Sequence, residues 1–88
     1  MKEREIARSS IEICREYAAK NKHLNQGKLL SEAKEKLKQR NIHVGETTLR
    51  EVITKIVTLG ILNLETIGRS KIYTLNEENV NKVEKLDL

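Results

Sequence analysis

The sequence has no proline, no tryptophan and no phenylalanine, and only two tyrosines, Tyr17 and Tyr73, in 88 residues. With so few rings the core must be aliphatic, built from Ile, Leu and Val. Recognition of single-stranded RNA leans on aromatic stacking platforms, which this composition does not supply. Cys14 is the one cysteine, so no intramolecular disulfide and no cysteine pair for a metal knuckle can form. His23 and His43 fall in different loops without cysteine or aspartate partners, so neither a metal nor any other cofactor is expected. Asp87 is the one aspartate, which removes a Ser-His-Asp triad or an aspartate pair. The glycines are isolated and make no phosphate loop. No catalytic residue is therefore expected. The charged start, Met1-Lys2-Glu3-Arg4-Glu5, leads into no apolar run long enough for a signal peptide or a membrane span, which points to the cytoplasm.

What is present is 38% hydrophobic and 34% charged residues, the balance of one folded, well-solvated domain. The formal charge of +4 is unevenly spread. Residues 1–75 hold fifteen of the seventeen Lys and Arg and nine of the thirteen acids, a net +6, against −2 for residues 76–88. A basic body suits a polyanionic partner.

Three amphipathic segments come first. Over residues 3–20, Ile6, Ala7, Ser10, Ile11, Ile13, Cys14, Tyr17 and Ala18 share one wide arc, and Asn21-Lys22 ends the helix. The second helix spans 26–40, with Asn25 as N-cap and Leu24 and Leu29 at the spacing of a hydrophobic staple. Leu29, Leu30, Ala33 and Leu37 form its buried stripe, and Asn41 can take the left-handed conformation that closes it. The third spans 46–59 behind Gly45, with Leu49, Val52, Ile53, Ile56, Val57 and Leu59 facing inward and Gly60 as the stop.

After Gly60 the period changes from helical to alternating. Leu62-Asn63-Leu64-Glu65-Thr66 and Lys71-Ile72-Tyr73-Thr74-Leu75 read as two strands, joined by the turn Ile67-Gly68-Arg69-Ser70. Lys22-His23-Leu24 is a candidate third strand. Residues 1–75 are expected to form the domain, and residues 76–88 a short acidic helix or tail whose apolar stripe is Val80, Val83 and Leu86.

The tight turn at 41–45, the helix ending Val57-Thr58-Leu59-Gly60-Ile61-Leu62 and the hairpin ending Ile72-Tyr73-Thr74-Leu75 together resemble the winged helix-turn-helix superfamily over about residues 3–75. The fold implied is α+β, a three-helix bundle with a β-hairpin wing and a short C-terminal helix. Within that superfamily the chain is similar to the C-terminal winged-helix domain of archaeal replication initiators and to small archaeal and viral transcription regulators. The initiators carry an ATPase module for which this sequence has neither room nor phosphate loop.

The resemblance implies double-stranded DNA as partner and a role in transcription regulation, and the residues suit that role. A helix entering the major groove needs an exposed face of hydrogen-bonding side chains. Thr47, Thr48 and Thr54 offer hydroxyls and methyls, Arg50 a guanine-reading fork, Glu51 an acceptor for a cytosine amino group, and Lys55 a phosphate contact. Arg69, Ser70 and Lys71 are the wing candidates, and Gln26 and Lys28 belong at the backbone near the start of the second helix. Lys34, Lys36, Lys38 and Arg40 are expected to be a solvated face. A homodimer through the first helix or the Val80, Val83, Leu86 stripe would double a small contact. The alternatives are a protein-protein adaptor and a replication-associated DNA-binding module.

Overall fold

Asn21, Asn41 and Gly60 have positive φ of 55°, 61° and 80°. Each closes a helix in the same way. The following residue donates its N–H five positions back, Lys22 to Tyr17, Ile42 to Leu37 and Ile61 to Ile56, each at 2.9 Å. The left-handed residue itself donates three positions back, to Ala18, Lys38 and Val57. This double bond is the Schellman stop, and it satisfies carbonyls that the helix end would otherwise orphan. Gly60 has a further reason to lack a side chain. A Cβ there would lie 2.8 Å from the amide nitrogen of Asn79, which donates to the Gly60 carbonyl at 3.0 Å.

A computed structural model describes residues 2–87 of the chain; Met1 and Leu88, which the expected segments 1–75 and 76–88 include, lie outside them. The helices are α1 (Glu3–Ala19), α2 (Gln26–Gln39) and α3 (Glu46–Thr58), with β1 (Leu24–Asn25) between the first two. Strands β2 (Leu62–Ile67) and β3 (Ser70–Leu75) follow, then a run of 3-10 turns over Glu77–Lys85. The class is α+β, and the layout is compatible with a winged-helix arrangement. Asn25 caps α2 as its sequence position implies, its side chain accepting from Lys28 N–H at 2.9 Å.

The antiparallel sheet has the order β1-β3-β2. Leu24 pairs with Tyr73 and Asn25 with Ile72, so the small third strand sits one residue later than Lys22-His23-Leu24. Lys22 cannot join it, because its N–H is committed to the end of α1. The hairpin strands are also longer than expected. Ile67 pairs with Ser70, which leaves Gly68 and Arg69 as a two-residue loop with positive φ at Gly68 alone, the φ pattern of a type II′ turn.

Ile6, Ile13, Leu24, Leu29, Leu37, Leu49, Ile56, Ile61 and Leu62 are fully enclosed, and Tyr73, 5% exposed, is the buried one of the two rings. The core is aliphatic, as the composition requires. On α1 one expectation fails at the edge of the arc, and one residue it did not include is buried. Ala18 is exposed, lining an open groove with Tyr17, Tyr73 and Leu75, while Ser9 is buried on the other edge with an unpartnered hydroxyl. Ser10, also buried, donates back to the Ile6 carbonyl at 2.9 Å.

Of the two forms expected for the segment after Leu75, the short helix is the one observed, and it packs on its own domain, with Val83 6% and Leu86 1% exposed. Arg4 donates to the carbonyls of Leu86 and Glu84 at 3.1 and 2.9 Å, and Arg15 grips the Glu77 carboxylate at 2.8 Å. Asp87 supplies what the start of α1 lacks. Lys2, the N-cap by position, makes no side-chain cap bond, whereas the Asp87 carboxylate accepts from the backbone N–H of Glu3 and Arg4 at 3.1 and 3.0 Å. Glu3 returns the favour, its side chain accepting from Asp87 N–H at 2.9 Å. The pair is a reciprocal capping box built across the chain. Val83 and Leu86 are thereby taken out of the stripe that the sequence offers to a second copy.

Two outcomes follow from this packing. Leu86→Ala is expected to lower the unfolding free energy by about 2–4 kcal/mol in chemical denaturation; a loss below about 0.5 kcal/mol would mean that the segment does not share the core. Glu3 is held below its ordinary 4.5, first by the hydrogen bond from Lys55, and Asp87 below its ordinary 3.8, first by the Arg4 N–H. A carboxyl depressed by folding stabilises above its unfolded pKa and stops doing so as pH falls through its folded one. Stability should therefore drop on acidification below about pH 4.5, the ordinary value of the Glu carboxyl. The Asp87→Asn chain should show a shallower drop in thermal melts across that range.

Candidate nucleic-acid interface

Burial of Leu49, Val52, Ile53 and Ile56 fixes the rotation of α3 and so decides what it shows outward. At 100° per residue the opposite arc carries Thr47, Glu51, Thr54 and Thr58 along its centre, with Arg50 on one flank and Thr48 and Lys55 on the other. All seven are exposed. Every expected recognition-helix residue is therefore on the surface.

The flanks face different neighbours. On the Arg50 side, Glu46, Leu49 and Arg50 line a groove with Gln26, Gly27, Leu30, Ser31 and Lys34 of α2. Gln26 is half-buried at its rim, and Lys28 is exposed two residues further on. Lys34 lines this groove and stays exposed, in keeping with the solvated face expected for Lys34, Lys36, Lys38 and Arg40. Lys36 and Arg40 instead form ion pairs with Glu5, Glu12 and Glu16 of α1. On the other flank, Thr48, Glu51, Thr54 and Lys55 border a groove floored by Ile6, Val44 and Val52.

The hairpin runs past the core. Beyond Leu62 every residue of β2 is exposed, Leu64 (41%) and Ile67 (50%) included. Alternation alone would have put Leu64 inside, but no helix reaches far enough to cover it. The wing candidates Arg69, Ser70 and Lys71 are all exposed, yet they do not form one patch. Ser70 and Ile72 share one face of β3 and Lys71 and Tyr73 the other, with Arg69 in the loop. Arg50 lies close enough to Tyr73 for its charge to favour the phenolate, although burial dominates and holds the Tyr73 hydroxyl above its ordinary pKa. On the other face, Ser70 and Ile72 line a cavity with Asn21, Lys22, His23, Asn25 and Lys28. Lys22 and His23 are cavity-lining residues that periodicity did not find. They reach the wing only because β1 pairs with β3, a contact between residues about fifty positions apart.

Charge pairing separates the cations further. Arg50 is tied to Glu46 at 3.3 Å and Lys55 to Glu3 at 2.8 Å. Lys22, Lys28, Lys34, Arg69 and Lys71 have no ion pair among the described residues. Free positive charge is thus present on α2 and the hairpin, as it is at Lys20, Lys82 and Lys85, while the two cations of α3 are already neutralised. Exposed pairs of this kind are weak and exchange readily for a phosphate.

Other chemistry finds little support in the same surface. No group of three metal-binding side chains occurs among the described residues, and no helix is long and apolar enough to cross a membrane. Burial pushes the Cys14 thiol up to about 12, far from a reactive thiolate. Ellman's reagent should consequently label Cys14 only upon unfolding; rapid labelling of the folded chain would show that α1 opens over it.

Compared with known proteins, the chain matches no family model, no curated protein and no solved structure, so a functional assignment has to rest on the surface just described.

Proposed function

We propose that the chain is a winged helix-turn-helix module that binds double-stranded DNA, with α3 in the major groove and the β2–β3 hairpin as its wing. The observation that carries this reading is the outward row Thr47, Glu51, Thr54 and Thr58, flanked by Arg50, Thr48 and Lys55, beside a hairpin whose cations are unpaired. Threonine is a mediocre helix former, so four of them on one exposed face are not explained by helix stability. Their hydroxyls and methyls suit base edges. Gln26, Lys28 and Lys34 would lie along one phosphate strand, Lys22 and His23 extending that contact toward the wing. The role that fits is a transcription regulator in the cytoplasm, without catalysis. Two copies on adjacent half-sites would double a small contact. With Val83 and Leu86 in the core, the outer face of α1 is the surface for such pairing that remains of the two the sequence offered.

A second reading has its own support. Glu51 sits at the centre of the outward arc and both α3 cations are neutralised, so this face can also meet a protein. A salt series of fluorescence anisotropy with random duplex separates the two. DNA binding predicts a steep log–log slope, which loses about one unit in Arg69→Ala together with affinity for every sequence. Arg50→Ala is expected to cost about 1–3 kcal/mol on the preferred site and to relax discrimination at one position. No duplex affinity at low salt would favour the adaptor.

A further inference from the structure

The reciprocal cap between Asp87 and Glu3 has a third member. Glu3 accepts from the Asp87 N–H through Oε1 and from Lys55 Nζ through Oε2, at 2.9 and 2.8 Å. One carboxylate thus joins the segment after Leu75 to the exposed flank of α3. Its two oxygens are divided between a backbone donor, which fixes its position, and a mobile ammonium, which it neutralises. Glu3 is the more enclosed partner, its side chain 18% exposed against 54% for Lys55. Fixed by Asp87 on one side and by the first turn of α1 on the other, the carboxylate is the stationary half of the pair. Lys55 is the half that can leave. The groove they border also holds Lys2 and Glu51, the other charged groups in reach, and Glu51 lies one turn before Lys55 on α3.

We propose that Glu3 is an intramolecular stand-in for a phosphate, held against Lys55 by the 84–87 segment, so that this segment restrains duplex binding by the recognition helix. The proposal rests on the DNA reading and adds a regulatory contact to it. A phosphate reaching Lys55 must displace a carboxylate that is already positioned, and anything that loosens residues 84–87 weakens that competitor. By linkage the converse holds: a duplex that captures Lys55 removes one of the two donors to Glu3 and loosens the clasp. Glu3 is a positioning residue here, with no contact of its own to the partner.

The test uses Glu3→Gln, which keeps an oxygen for the Asp87 N–H and removes the charge facing Lys55. In the free chain, limited lysine acylation followed by peptide mapping should show Lys55 reacting at least about threefold faster in this variant, with Lys34 and Lys71 unchanged as internal controls. With random duplex, the affinity should rise roughly three- to tenfold and the salt slope should steepen by about one unit, the signature of one more available cation. Asp87→Ala keeps the N–H that anchors Glu3 but removes the side chain that docks residue 87 on the start of α1, and by loosening that docking should move both readouts the same way; in a Lys55→Ala background Glu3→Gln should change neither affinity nor slope. The proposal is overturned if Lys55 in the unaltered chain already reacts as fast as Lys34, or if Lys55 is unmasked without any gain in duplex binding. It is equally overturned if the gain persists without Lys55. Absence of duplex binding by the unaltered chain would instead fail the DNA reading, and the acylation rates alone would then decide whether Glu3 masks Lys55.

Discussion

The inward face of α3 is the constraint on which the outer surface depends. Leu49, Val52, Ile53 and Ile56 are sealed against an aliphatic core, and rotating the helix by a single residue would turn Arg50 and Thr54 inward in place of Leu49, Val52 and Ile56. Burying a guanidinium and a hydroxyl without partners costs several kcal/mol, about as much as a small domain has in total. The orientation of the outer face is thus set by hydrophobic burial, and no contact made by the exposed residues themselves is needed. Left-handed stops at Asn41 and Gly60 hold the helix between a tight turn and the hairpin, so its two ends are fixed as firmly as its rotation.

Local chemistry made much of this legible in the sequence. Asn25 as a cap, Asn41 and Gly60 as stops, the buried stripes of α2 and α3 and the two hairpin strands all follow from neighbours within about five residues. The α+β class and the exposure of Thr47, Thr48, Arg50, Glu51, Thr54 and Lys55 came with them. What periodicity missed depends on distant partners. The register of β1 is set by Tyr73, the pairing of Lys36 and Arg40 by the acids of α1, and the approach of Lys22 and His23 to the wing by sheet closure. Val80, Val83 and Leu86 were recognised as an apolar stripe, but a stripe does not name its cover. Only the docking against α1 shows that Val83 and Leu86 belong to this chain's own core.

Charge follows the same division. Net charge by segment suggested a basic body and an acidic end, whereas the three-dimensional arrangement sorts cations by whether a carboxylate reaches them. The acids of α1, with Glu77, occupy Arg8, Arg15, Lys36, Arg40 and Lys55. The cations left over include Lys28 and Lys34 on α2 and Arg69 and Lys71 on the hairpin, with Lys20, Lys82 and Lys85 besides. Those of the hairpin, unlike the two of α3, can meet a polyanion without displacing a carboxylate.

A helix start that is capped from eighty-four residues away cannot be completed by its own neighbourhood. Closing so long a loop carries an entropic penalty that only a nearly finished fold can offset. The three Schellman-closed helix ends need no such help. The opening turn of α1 is accordingly the last part of the molecule to order as the chain folds and the first to fray when it breathes. Amide exchange there would run ahead of the core and would report the docking of residues 84–87.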